Sequence, residues 1–292
     1  MYPSIQKVGI EKLADNSANA KRPVFDLEYL MKLLKPIVNQ RMRLIAATLM
    51  VGTIVLDVGV LEMRYLVPDT IRPSDSNFVA NPSANGAVLM NLAQQSGKPC
   101  DVIFIGASNV EYWNTEGKAV WDHYYAPRHA FNFGVAGDKT QNVLWRFDHM
   151  NLYGLKPKVA VIFVGLNNVN STPREVVMGI KAITKKTQAT FPGVKVFVVS
   201  LTPNDRDNAQ VVKANKLLRA YADNQNIFFV NIYSRMPREG DSWKGLRPDH
   251  IHLTAAGYQM WADQMEPLMQ KFLSPLPTDA TASAKPLPVT TN

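Results

Sequence analysis

Four short segments of this 292-residue chain place residues capable of acyl chemistry where apolar runs end. Gly106-Ala107-Ser108-Asn109 follows the run Val102–Ile105, and a serine on a tight turn behind a strand can present its hydroxyl as a nucleophile. If a helix begins there, its first N–H groups point at the same spot and can bind an oxyanion. The same serine could equally do no more than cap that helix. Gly134 stands in FGVAGDKT behind a second run, where a residue without a side chain leaves its N–H open to a ligand. The plainer reading of that segment is a turn, with Asp138 or Thr140 capping the next helix. VAVIFV ends in Gly165-Leu166-Asn167-Asn168, and the Asn167 amide offers two donors to a developing negative charge, although paired asparagines are also ordinary loop chemistry.

The fourth segment is Arg247-Pro248-Asp249-His250-Ile251-His252-Leu253-Thr254. Asp249 and His252 are three residues apart, so the carboxylate can take one ring nitrogen while the other faces a serine. His250 is the competing base. Its alternation with Ile251 and Leu253 puts both histidines on one face of a short extended piece, and the spacing from Asp249 favours His252. Two histidines and an aspartate could also ligate a metal, but no further Cys/His/Glu cluster completes such a set, and no metal is expected.

These segments need elements to carry them. Strands are expected at Asp101–Gly106, Ala130–Phe133, Val159–Gly165, Val194–Ser200 and Ile227–Asn231. Three are continuous apolar runs, the pattern of strands covered on both faces. Helical patterns intervene at Glu116–Tyr125, Thr140–Asp148, Pro173–Thr190 and Asn208–Asp223, with a last one over Thr254–Phe272. The alternation predicts an α/β fold with a parallel sheet of about five strands between helices, and such sheets gather their chemistry at the carboxyl ends of the strands.

Around this body, residues 1–43 form a basic leader with eight Lys/Arg against four Asp/Glu, half of the chain's net charge of +8. The remaining excess is scattered, with no basic stripe or interleaved aromatics, which argues against a nucleic-acid partner. Leu44–Leu56 is an uncharged run of 13 residues, extended through Asp57 to Leu61. With Arg41 and Arg43 before it, residues 44–66 read as an uncleaved signal anchor that leaves the catalytic part exported. A soluble helix packed on a cytoplasmic protein is the alternative, and a cleaved signal a third. Residues 67–86 read as a linker, 87–273 as the catalytic domain and 274–292 as a disordered Pro/Thr/Ala tail. The single cysteine, Cys100, excludes an intramolecular disulfide and reads as a small buried hydrophobe.

Taken in order, the Ser, Gly, Asn and Asp-x-x-His blocks resemble those of the SGNH (GDSL-like) hydrolase family across residues 101–273. FNFGVAGDKTQNVLWR and KPKVAVIFVGLNNVNSTPREVV are most like the catalytic alpha subunits of platelet-activating-factor acetylhydrolases. The resemblance implies a flavodoxin-like three-layer α/β/α fold and hydrolysis of small acyl esters without a cofactor. By position it makes Ser108 the nucleophile, His252 the general base and Asp249 its orienting acid. The oxyanion hole would be the Ser108 and Gly134 N–H groups with the Asn167 side chain. Ala107 departs from the usual Gly-Asp-Ser, which leaves the three reacting residues intact. Asn168 in place of the commoner aspartate matches the acetylhydrolase branch. The expected substrate is a small acyl ester, or an acetylated envelope or secreted glycan. Acetyl transfer to a glycan hydroxyl and an inactive, membrane-tethered binding module are the alternatives.

Overall fold

In the computed structural model, residues 67–75 and 98–275 are described. The apolar run 44–61, the leader before it, most of the linker and the tail from 276 therefore lie outside the described residues. In chain order, β1 (Val102–Gly106) runs into the short helix α1 (Ser108–Glu111), and α2 (Lys118–Tyr124) leads to β2 (Ala130–Gly134). Then come α3 (Thr140–His149), β3 (Val159–Phe163), α4 (Pro173–Thr190), β4 (Lys195–Val199), α5 (Asn208–Tyr221) and β5 (Ile227–Val230). A two-residue hairpin, β6 (Arg238–Glu239) and β7 (Ser242–Trp243), precedes the final helix α6 (Ala255–Phe272).

The five long strands form one parallel sheet in the order β2-β1-β3-β4-β5. Every residue of β1 and β3 is buried, which is why both read as unbroken apolar runs. Helices α3, α4 and α5 pack side by side, and α6 packs on α2. The alternation of the strands assigns side chains to these two layers. Phe133 meets Phe147 of α3, while Phe104 meets Trp121 of α2 and Trp261 of α6. The three-layer arrangement implied by the sequence is thus the observed one.

An aromatic cluster ties the first strand of the sheet to the final helix α6. Phe104 touches Trp113, Trp121, Tyr125 and Trp261, and Trp113 lies 4.4 Å from the ring of Tyr258. Such pairs add roughly 0.5–1.5 kcal/mol each beyond the area they bury. Trp113 closely follows Ser108, and Tyr258 closely follows His252. Packing therefore joins the two elements that flank the chemistry.

Two features depart from the sequence reading. The β6–β7 hairpin turns on Gly240 (φ 62) and Asp241, and strands of two residues are too short to show a period. Residues 67–75, read as part of a linker, are packed on α3 and α4, with Thr70 buried. Cys100 is buried as expected, and burial pushes its thiol up to about 12.

Candidate active site

Order 2-1-3-4-5 reverses direction between β1 and β3, and open α/β sheets bind their ligands outside the carboxyl ends at such a point. Ser108 follows β1 there, and Asn167 follows β3. Ala107 occupies the N-cap of α1 without a side-chain bond, so Ser108 is the first helical residue and does not cap. Its hydroxyl turns instead to His252, with Oγ 2.9 Å from Nε2. Among the described residues no acceptor takes the Ser108 N–H, as expected for the first amide of a helix.

His252 is held from behind. Its Nδ1 lies 2.7 Å from Asp249 Oδ2, while Asp249 Oδ1 accepts the N–H groups of Ile251 and His252, each at 2.9 Å. With Nδ1 donating to the carboxylate, Nε2 is left as the acceptor for the serine proton. Partial burial would raise the Asp249 carboxyl. The His252 and Ile251 hydrogen bonds and the nearby imidazole outweigh it and hold the group at about 2. The ring of Tyr112 packs on His252 at 5.2 Å, and Arg247 lies over Tyr112 while pairing with Glu116.

His250 does not share a face with His252. Its backbone adopts φ 58, and its Nδ1 binds Asp205 Oδ2. Asp205 also accepts from Trp243 Nε1 and Arg238 Nη1, both at 2.9 Å, and these donors with His250 bring its carboxyl down to about 2. The extended reading failed because Asp249 starts a turn with its own side chain. That turn rotates position 250 toward the hairpin and position 252 toward the serine.

Gly134 requires a correction. Its N–H donates to Asn132 Oδ1 at 2.9 Å, inside the end of β2. A Cβ at this position would stand 2.3 Å from the Glu111 nitrogen and 2.7 Å from the Val110 carbonyl carbon. The missing side chain makes room for the protein's own helix α1, and the amide is not turned toward a ligand. Asn132 completes that junction, donating to Val110 O at 2.8 Å. Asn167 does reach the crevice beside Ser108, and its Nδ2 donates to Asp138 O at 3.0 Å. Asp138 lies beyond the Gly137 turn (φ 81).

Three residues to which the sequence assigned no role hold these pieces in register. Asn109 donates to Ile251 O at 3.1 Å and accepts Leu253 N–H at 3.0 Å, gripping the backbone on both sides of His252. Arg146, buried in α3, binds Asp138 Oδ2 at 2.8 Å, Phe133 O at 2.9 Å and Gly106 O at 3.1 Å. One guanidinium thereby joins the ends of β1 and β2 to the loop that receives Asn167. Burial pulls its proton affinity below the ordinary arginine value, and Asp138 opposes the loss. Glu111, one turn beyond Ser108, accepts the Ala136 N–H at 2.5 Å. Only Arg146 left a trace in the sequence, as a charge on the apolar side of a helix.

The crevice at Ser108, walled by Leu166 and Ile251, has a volume of about 10 Å³. A cleft of about 650 Å³ between the β3 and β4 loops shares Gly165 and Leu166 with it and is rimmed by Asn204 and Arg206. A larger cavity of about 890 Å³ lies at the opposite end of the sheet, by Lys158 and Lys195, with no serine, cysteine or histidine in its lining. The serine and its histidine partner border the smaller space. Among the described residues no cluster of metal-ligating side chains occurs.

A doubly covered parallel sheet with a serine, a histidine and an oriented carboxylate at its switch point is an arrangement capable of acyl transfer. The chain belongs to the GDSL-like lipase/acylhydrolase family, whose profile matches residues 104–260, and it is a hydrolase of the esterase kind. It is 32% identical over 188 residues to platelet-activating factor acetylhydrolase IB subunit alpha2 of Rattus norvegicus, covering 62% of this chain and 81% of the relative. It is 30% identical over 203 residues to the alpha1 subunit of Bos taurus, covering 68% and 85% of the two chains. A solved Streptococcus pneumonia structure that carries the name of platelet activating factor shares the fold. It superposes with a TM-score of 0.54 at 18% identity, over 66% of this chain and 97% of that one.

Proposed function

We propose that this esterase cleaves short acyl esters, acetyl esters foremost, by two-step acyl transfer with Ser108 as nucleophile, His252 as base and Asp249 as its orienting acid. The observation that carries this reading is the continuous relay from Asp249 Oδ2 through His252 to Ser108 Oγ, at 2.7 and 2.9 Å. His252 Nε2 takes the hydroxyl proton as Oγ attacks the ester carbonyl. The tetrahedral oxyanion is met by the Ser108 N–H and Asn167 Nδ2. Gly134 adds no third donor, because its N–H is spent on Asn132 Oδ1. Collapse passes the proton from His252 to the leaving alcohol. Water, deprotonated by the same imidazole, then releases the acid and regenerates the serine. Loss of one oxyanion donor typically costs about 10²–10³ in rate.

The acetyl preference rests on the narrowness of the crevice at Ser108, about the space of one water-sized sphere, while the adjoining cleft of about 650 Å³ suits the larger alcohol part. The names of the acetylhydrolase relatives point the same way. The order of basic leader, apolar run and polar segment supports anchoring through residues 44–61 with the catalytic part exported. Acetylated envelope or secreted glycans would then be the accessible substrates.

Hydrolysis of p-nitrophenyl acetate, butyrate and octanoate by the full-length protein tests the chemistry. Activity falling with chain length, and lost in Ser108→Ala, is expected. Preference for octanoate would contradict the small acyl pocket. Acetate released from an acetylated glycan into water supports a hydrolase, whereas its appearance on an added glycan hydroxyl makes the enzyme a transferase. For location, the protein should stay with membranes after a high-salt wash, and external protease should free an active fragment. Recovery in the soluble cytoplasmic fraction would overturn the anchor.

A further inference from the structure

The stretch 67–75 is packed on α3 and α4, behind the loop that follows β3. Thr70 is 1% exposed, and its carbonyl accepts the Thr140 hydroxyl at 2.8 Å. Ser74 N–H donates to Gln141 O at 3.1 Å, and Ser74 O accepts Asn142 Nδ2 at 2.8 Å. Thr140 is the joint between this stretch and the β3 loop. Its N–H donates to Asn168 Oδ1 at 3.1 Å, and its hydroxyl oxygen accepts from Asn168 Nδ2 at 3.3 Å. Asn168 Nδ2 also donates to Gln141 Oε1 at 2.9 Å. The Thr140 hydroxyl has one proton. With it spent on Thr70 O, a lone pair is turned to Asn168.

Helix α4 makes space for this arrangement. A Cβ on Gly179 would stand 2.5 Å from Thr140 Oγ1 and 2.8 Å from Thr70 O. Glycine inside a helix is unfavourable against alanine, and its presence here lets a second backbone approach closely. Hydrogen bonds and the shape of α4 therefore point independently to the same docked segment.

We propose that residues 67–75 act as a brace for the turn after β3 that carries Asn167. By fixing the Thr140 hydroxyl the segment orients Asn168, and through it the neighbouring Asn167 amide. Thr140 and the brace are thus positioning elements of the catalytic site. This rests on the esterase reading of Ser108 and Asn167. A misplacement of about 1 Å at a transition-state contact can cost 10²-fold in rate, so partial release of the turn should be visible in turnover.

The test uses the full chain as wild type, Gly179→Ala, Thr140→Val, Thr140→Ser and Ser108→Ala. Active sites are counted by fluorophosphonate labelling, so that kcat refers to folded enzyme only. Gly179→Ala wedges the brace away from α4, and Thr140→Val removes the hydroxyl. Both should lower kcat about tenfold or more with KM unchanged, and Thr140→Ser should recover most of it. Hydrogen exchange over residues 69–75 should be slow in the wild type and faster in Gly179→Ala. Wild-type kcat in both Gly179→Ala and Thr140→Val, with Ser108→Ala inactive, overturns the brace and leaves the esterase reading standing. Turnover by Ser108→Ala overturns the esterase reading itself.

Discussion

Asn109, the residue after the serine, accepts a hydrogen bond at 3.0 Å from the N–H of Leu253, the residue after the histidine. The proposed nucleophile and base are therefore fixed to one another through their neighbours, before either contacts substrate. The Tyr258 hydroxyl, pushed well up by burial and so kept as a donor, binds Asn109 O at 2.9 Å and closes the junction.

Asn109→Ala should leave the Leu253 N–H buried without a partner, at a cost of about 1–3 kcal/mol. Release of the 249–253 turn should also lower kcat roughly 10–100-fold. Thermal unfolding and steady-state kinetics on the same preparation check both parts. A stable variant with wild-type kcat would show that the clamp does not set the base.

Arg146→Met takes the guanidinium away from the buried Asp138 carboxylate, in a pair only 1% and 2% exposed. Breaking such a pair from one side typically costs about 3–5 kcal/mol. The double variant Arg146→Met/Asp138→Asn should regain a large part of that stability in urea unfolding. It should not regain full turnover, because the grip on Gly106 O and Phe133 O is still missing.

His250→Ala should be far milder in kcat than His252→Ala, since His250 binds Asp205 on the hairpin side. Loss of His252 should cost about 10⁴-fold or more. The reverse ranking would mean that the wrong histidine has been given the role of base.

The Asp249 carboxyl is brought from 3.8 to about 2 in the folded protein. A lowered carboxylate stabilises the fold above its unfolded value and loses that contribution as pH falls through the folded one. The urea-midpoint advantage of wild type over Asp249→Asn should therefore hold at neutral pH and shrink progressively below about pH 4. An advantage independent of pH down to 3 would contradict a charged Asp249 at this contact.

Much of this architecture was legible because parallel strands covered on both faces must be apolar throughout. The bounds of α4 matched at both ends, and its start has a local reason, since Thr172 as N-cap and Glu175 as N3 form a capping box around Pro173. The order Ser108, Asn167, Asp249, His252 was legible too, and the fold brings these residues to one edge of the sheet. The supporting residues were not. Asn109 acts on residues more than 140 positions away, a distance no local period records. Gly134 was misread because a bare backbone signals close approach without saying by what. His250 was misread because alternation assumes an extended chain, and the Asp249 side chain bends it. The packed stretch 67–75 looked like a linker because its contacts are made by backbone groups, which leave no mark on composition.

Covalent trapping at the serine tests the role of Ser108 most directly. The full-length protein is incubated with a fluorophosphonate, digested, and the adduct located by mass spectrometry. A single stoichiometric adduct on Ser108 is expected, abolished in Ser108→Ala and strongly slowed in His252→Ala. Inactivation with the adduct on another residue, or equal labelling of Ser108→Ala, would contradict it.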